Sequence, residues 1–218
     1  LASPTLHNLN CSLRQSGQAQ QVSLRFGFRS FRAVAGRFEL NGRPIFLRGN
    51  SVNPPGRYID DSIGTSYGFA YSYLRSLKRR HINAVRLGDG VGHATAAWYD
   101  AADELGLLVY AGPYGNPVCP GCRAKPPAKP LPPDSAVVAL AHYKGLLLAT
   151  ATHPSHAILI LGNEMDISSS AGHWGDAPYH AQYAALLREI TGQLVAFDSE
   201  RAYLGDAGFG EGLGGQIF

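Results

Sequence analysis

The run "ILILGNEMD", Ile158 to Asp166, sets an amide and a carboxylic acid side by side where an apolar stretch ends. Ile158 to Leu161 read as a short buried strand, and Gly162 stops it. The carboxyl group of Glu164 can give or take a proton, and a partly dry setting or a neighbouring negative charge would keep it protonated near neutral pH. The amide of Asn163 can donate and accept hydrogen bonds at once, which suits holding a polar substituent. A surface turn would carry the same pair to no purpose. The elements around it decide between the two.

Other polar side chains fall at comparable places. Arg86 closes "NAVRL", Tyr114 and Asn116 follow "LLVYA", and Arg48 and Asn50 flank the end of "IFLRG". The guanidinium of Arg86 offers a planar fork of donors that can orient Glu164 or a substrate, or form an ion pair at a rim. Trp174 and Asp166 lie in the loop after the Asn-Glu pair, where an indole can cover a sugar face or simply pack. His153 and His156 have HxxH spacing but precede their strand, so no metal is expected there. "GEGLGG" spells GxGxxG, yet no helix follows it within the chain, which argues against a phosphate cradle. No cofactor is expected.

The elements that must position these groups alternate. Residues 1–35 are β-rich, with Val22, Leu24, Phe26 and Phe28 at the period of a half-covered strand. In "FELNGRPIFL", Asn41-Gly42 between apolar runs signals a hairpin. From Ile45 on, "IFLRG", "NAVRL", "LLVYA", "AILIL" and "RAYLG" read as strands, and "GQIF" as the start of another. Helices between them carry Ala70, Tyr73, Leu74 and Leu77, then Trp98, Ala101, Ala102 and Leu105, then Tyr183, Leu186, Leu187, Ile190 and Leu194 at helical spacing. Asp134 or Ser135 can cap the helix before "AILIL". Apolar strands alternating with helices predict an α/β fold with a parallel sheet, either open and doubly wound or a (β/α)8 barrel. Polar residues at four successive strand ends favour the barrel, whose mouth collects them all.

Composition narrows the function. Apolar residues make up 45% and charged residues 16%, enough for a sizeable core. A net charge of +3 is too small to argue for nucleic acid, and "LKRRH" reads as a helix end. No apolar run reaches the roughly 20 residues needed for a membrane span. "CPGC" at Cys119 and Cys122 can be a small disulfide or half a zinc site. "NCS" at Asn10 fits the N-glycosylation pattern. Together these lean towards an extracellular or lysosomal/vacuolar setting.

Four segments, "RFGFRSF" with "GRFELNGRPIFLRGN", "LKRRHINAVRLGDG", "WYDAADELGLLVY" and "HPSHAILILGNEMD", resemble in order and spacing the exo-acting enzymes of glycoside hydrolase family 2. The resemblance covers about residues 20–170. It implies the C-terminal strands of an immunoglobulin-like β-sandwich over residues 1–35. Residues 36–218 would then be the N-terminal part, through about strand six, of a (β/α)8 barrel. It further implies a retaining exo-glycosidase acting on terminal β-linked sugars, with Glu164 as acid/base and Asn163 holding the sugar's 2-substituent. Arg86, Asn116, Tyr114 and Trp174 would contact substrate. Double displacement also needs a carboxylate about 5 Å from the acid to attack the anomeric carbon. No residue here matches the family's nucleophile, and Glu211 is not a match. A carbohydrate substrate and further polypeptide, or a second chain, closing the barrel are therefore the expected partners. "GNSVNPPG" stands where many members carry a histidine, and "AGPYGNP" where some carry a carboxylate. These departures leave room for a catalytically silent relative that binds carbohydrate in an extracellular assembly.

Overall fold

The computed structural model describes residues 4–16, 18–52, 61–87, 96–112, 133–162 and 177–205. Strands β1 (His7–Gln15) and β2 (Gln18–Phe26) form an antiparallel hairpin. Strands β3 (Phe31–Val34), β4 (Arg37–Leu40) and β5 (Arg43–Ile45) form a small antiparallel sheet. Both of its turns need left-handed backbone. Ala35 and Gly36 have φ of 48° and 75°, and Asn41 and Gly42 have 51° and 71°. Such paired positive values twist with the strands, as the Asn-Gly signal predicts.

The remaining strands are β6 (Gly49–Val52), β7 (Ala84–Leu87), β8 (Leu108–Ala111), β9 (His156–Ile160) and β10 (Ala202–Leu204). They form one five-stranded sheet in the order β10-β9-β8-β7-β6, and every pair is parallel. Helices α1 (Asp61–Thr65), α2 (Tyr67–Arg79), α3 (Ala96–Leu105), α4 (Ser135–Ala149) and α5 (Ala177–Phe197) lie between them in sequence. Val85, Leu87, Val109 and Ala111 pack with α2 and α3, while Leu159, Leu161 and Tyr203 pack with α4 and α5. Leu87, Ala111 and Leu159 are neighbours in register, so these helices cover a single face. A doubly wound sheet would reverse its order and carry helices on both faces. The described elements do neither.

Some expectations need correcting. "IFLRG" is not one strand: Ile45 ends the antiparallel sheet, and the parallel sheet begins only at Gly49. Arg48 thus just precedes β6 and Asn50 is inside it, not at its far end. The Nε of Arg48 donates to the His81 carbonyl at 2.7 Å, fixing it on the turn before β7. Asp134 occupies the N-cap position of α4, but its ψ of 3° is not extended and its side chain makes no cap hydrogen bond. Tyr73 stays 40% exposed while Ala70, Leu74 and Leu77 are buried. The half-covered β2 face is open among the described residues, with Val22 at 57% and Leu24 at 44% exposure. Cys119, Cys122 and "GQIF" lie outside the described residues, and Cys11 is an exposed thiol.

The sheet face without helices is filled at its N-terminal end. Phe31, Phe38, Leu40, Ile45 and Leu47 pack there against Ala84, Leu108, Ile158 and Ala202. Phe31 and Phe38 stack with their centroids 5.3 Å apart. Arg29, just before β3, is half-buried beside them. Its Nε donates to the Pro154 carbonyl at 2.9 Å, and its Nη atoms donate to the carbonyls of Glu200 and His156. Burial lowers its pKa to about 10, so it stays charged at neutral pH. Arg201 adds a 2.8 Å bond to the same His156 carbonyl and a 3.0 Å bond to the Thr150 carbonyl. Gly27 lets this connection lie close, since a Cβ there would come within 2.8 Å of Pro154 Cγ.

His156 is fully buried, its Nδ1 2.8 Å from Thr150 Oγ1. Burial, then the charges of Arg201 and Arg29, depress its pKa to about 3. An unfolded histidine takes a proton near pH 6.5, so between roughly 6.5 and 3 only the unfolded chain binds it. Stability contributed by neutral His156 is therefore present above about pH 6.5 and lost as the pH falls towards 3. Urea unfolding from pH 7 to pH 4 should show that loss, and His156→Gln should flatten the slope by about one proton. Arg29→Met leaves the Pro154 and Glu200 carbonyls without this donor, while His156 keeps Arg201, and should cost on the order of 2 kcal/mol. In the same titration Arg32→Met, which breaks an exposed 3.0 Å pair with Glu200, should cost less than about 1 kcal/mol.

Candidate functional site

The C-terminal ends of β7, β8 and β9 meet along one edge, with Leu87, Ala111 and Leu159 level with one another. From this edge the chain continues into every segment that holds the other polar candidates. Gly112 precedes the loop of Tyr114 and Asn116, and Gly162 directly precedes Asn163 and Glu164. Tyr114, Asn116, Asn163, Glu164, Asp166 and Trp174 lie outside the described residues. Arg86 lies within them, partly buried, one residue before the end of β7.

Strand alternation puts Arg86 on the face without helices, between Ser51 of β6 and Tyr110 of β8 at the same level. Tyr110 was not singled out by its sequence context, where it reads as one more apolar strand residue. It packs on the inner cluster and is held by its neighbours. Burial raises its pKa, and the positive charge of Arg86 opposes that rise. A Cβ at Gly49 would lie 3.0 Å from the Tyr110 hydroxyl, so the phenol reaches across to β6.

The end of β9 is anchored from both sides. The buried Tyr143 of α4 donates its hydroxyl proton to the Leu161 carbonyl, and burial raises its pKa strongly. The Leu161 amide donates to the Leu204 carbonyl at 2.8 Å, tying β9 to β10. Gly112 has no room to be anything larger, because a Cβ would sit 2.5 Å from the Ile160 carbonyl oxygen. In "AGPYGNP" the glycine therefore lets the ends of β8 and β9 touch.

At the opposite edge, Asp100, Asp103 and His153 bring ligand-type atoms within 4.8 Å of one another. Those atoms already have partners. Asp100 pairs with Arg25 at 2.9 Å, and Asp103 accepts from the Ser155 amide at 2.8 Å and faces His153 Nδ1 at 2.7 Å. Tyr99 stacks on His153 at 5.2 Å. The cluster reads as a structural network joining β2, α3 and the approach to β9.

Two glycine substitutions should have opposite signs. Gly112→Ala must push the β8 and β9 ends apart and should destabilise by about 2 kcal/mol. Gly145→Ala, in the α4 interior with nothing within 4 Å of the new methyl, should stabilise by about 0.5–1 kcal/mol. Thermal unfolding of the two variants beside the parent checks both signs.

Comparison with known proteins places the chain among glycosidase relatives. No family profile matches the chain. A β-galactosidase from an Arthrobacter species is 34% identical over 98 residues, which is 43% of this chain and 9% of that protein. A β-galactosidase from Photobacterium profundum is 26% identical over 171 residues, 77% of this chain and 16% of that protein. Among solved structures, the Parabacteroides merdae β-glucuronidase aligns with a TM-score of 0.69 at 22% identity, covering 93% of this chain and 24% of that one. The likeness to that structure is one of fold. The chain is thus similar over most of its length to members of glycoside hydrolase family 2, and it spans a small part of each relative's length.

Proposed function

We propose that the chain is part of a retaining exo-glycosidase that removes terminal β-linked sugars by double displacement. Residues 1–35 are then the last strands of an immunoglobulin-like sandwich. Residues 36–218 are the N-terminal part of a (β/α)8 barrel, which further polypeptide or another chain closes. The observation that carries this reading is the shared edge of β7, β8 and β9, where β7 carries Arg86 and where β8 and β9 each lead into one group of the other polar candidates. The unreversed strand order and the single helix-covered face support a barrel over an open sheet. The sequence likeness to two β-galactosidases supports sugar chemistry.

In this reading Glu164 protonates the leaving oxygen and later deprotonates the water that releases the sugar. Asn163 holds the 2-substituent, where a hydrogen bond strengthens as positive charge builds at the anomeric carbon. Arg86, with a permanent charge and a fixed fork of donors, orients Glu164 or a sugar hydroxyl. Tyr114, Asn116 and Trp174 complete the subsite. The attacking carboxylate comes from polypeptide outside these residues. An extracellular or lysosomal/vacuolar setting accompanies the proposal, since Asn10 of the N-glycosylation pattern is exposed on β1.

The test is hydrolysis of a panel of aryl β-glycosides by the intact natural protein. One sugar should be released, and Glu164→Gln should lower kcat by roughly 10²- to 10⁴-fold, the range for a lost general acid/base. Sugar binding without hydrolysis of any glycoside would replace the enzyme with a silent carbohydrate binder.

A further inference from the structure

On the sheet face without helices, Gly49, Ala84 and Leu108 are side by side in one layer of the register. Ser51, Arg86 and Tyr110 form the next layer towards the C-terminal edge. Tyr110 is on β8, yet its hydroxyl lies 3.0 Å from where a Gly49 Cβ would be, two strands away on β6. To reach Gly49 the ring must pass over Ala84, whose side chain is a single methyl, and beneath Arg86. Gly49 and Ala84 thus make a shelf of small residues that a tyrosine can lie across. A larger side chain at either position would occupy the ring's path. Burial raises the phenol's pKa, which leaves it a neutral surface at working pH, and the Arg86 charge is close enough to be felt.

We propose that Tyr110 is a positioning residue for Arg86: lying on the Gly49–Ala84 shelf, its ring is the floor that keeps the guanidinium raised towards the C-terminal edge. This inference rests on the glycosidase reading of that edge for its functional consequence and on the Gly49 contact for its geometry. Tyr110 is assigned no chemical step. It acts by restricting where the long Arg86 side chain can fold back.

The experiment compares Gly49→Ala, Tyr110→Phe and the double variant in the intact protein, using the glycoside released in the panel. A methyl at position 49 collides with the hydroxyl and not with the ring, so removing the hydroxyl should relieve it. Gly49→Ala shifts the phenol by a few tenths of an ångström and should lower kcat/KM severalfold, mostly through kcat, since small misplacements at a site are costly. The double variant should recover to within about twofold of Tyr110→Phe alone. An unimpaired Gly49→Ala, or a double variant as impaired as Gly49→Ala, would overturn the proposal. If Gly49→Ala does not accumulate as folded protein, Tyr110→Leu, which removes the floor and keeps Gly49, must give the same loss in kcat; an unchanged kcat overturns it. If the intact protein hydrolyses no glycoside, the glycosidase reading fails separately. Crystal structures of the same variants then decide. A guanidinium displaced in Gly49→Ala and returned in the double variant upholds the floor, and one that stays in place in every variant refutes it.

Discussion

Arg29 holds the parallel sheet to the segment that precedes it. At the N-terminal end of β9 and β10, the carbonyls of Pro154, His156 and Glu200 all accept from one half-buried guanidinium, and Arg201 shares the His156 carbonyl. A buried carbonyl left without a donor costs about as much as a lost hydrogen bond. The same side chain positions the chain entering β3, which brings Phe31 and the β3–β5 sheet over the bottom of the face without helices. Strand register is set at that end. Because side chains alternate with a period of two, a one-residue slip would turn Arg86 and Tyr110 onto the helix side.

At the other end the controlling parts are small. Gly112 lets β8 and β9 meet, Tyr143 fixes the Leu161 carbonyl, and Gly49 gives a phenol room to lie across two strands. These devices bring strand ends together with little side-chain bulk between them. A catalytic acid placed after such a strand end gains rigidity from the sheet, and its approach to substrate is set by backbone.

Much of this fold was legible in the sequence, and the limits of that legibility are physical. Trp98, Ala101, Ala102 and Leu105 announced one helix face, and all are buried. Asn41-Gly42 announced a hairpin, because few other pairs tolerate two positive φ values in succession. The run "IFLRG" misled because an apolar stretch says that a segment is buried and not which sheet buries it. Val22 and Leu24 show the same limit: their alternation marks a face fit for burial, but the covering partner is not written into the strand. Arg29 left no signal, since its partners are backbone carbonyls that any residue would supply. Tyr110 was hidden by its neighbours, because a tyrosine in "LLVYA" looks apolar until Gly49 is placed across from it. The Asn-Glu pair was read from its place after a buried strand, and the strand is there, with Gly162 buried at its end.

The most direct measurement is a crystal structure of the intact protein with a monosaccharide-like inhibitor bound. The sugar ring should lie at the C-terminal edge of β7, β8 and β9, with the Glu164 carboxyl on its glycosidic oxygen, the Asn163 amide at its 2-substituent and the Arg86 guanidinium within hydrogen-bonding reach. A sugar bound at the opposite edge, beside Asp103 and Arg29, or one at the C-terminal edge with Glu164 turned away from it, would contradict the account.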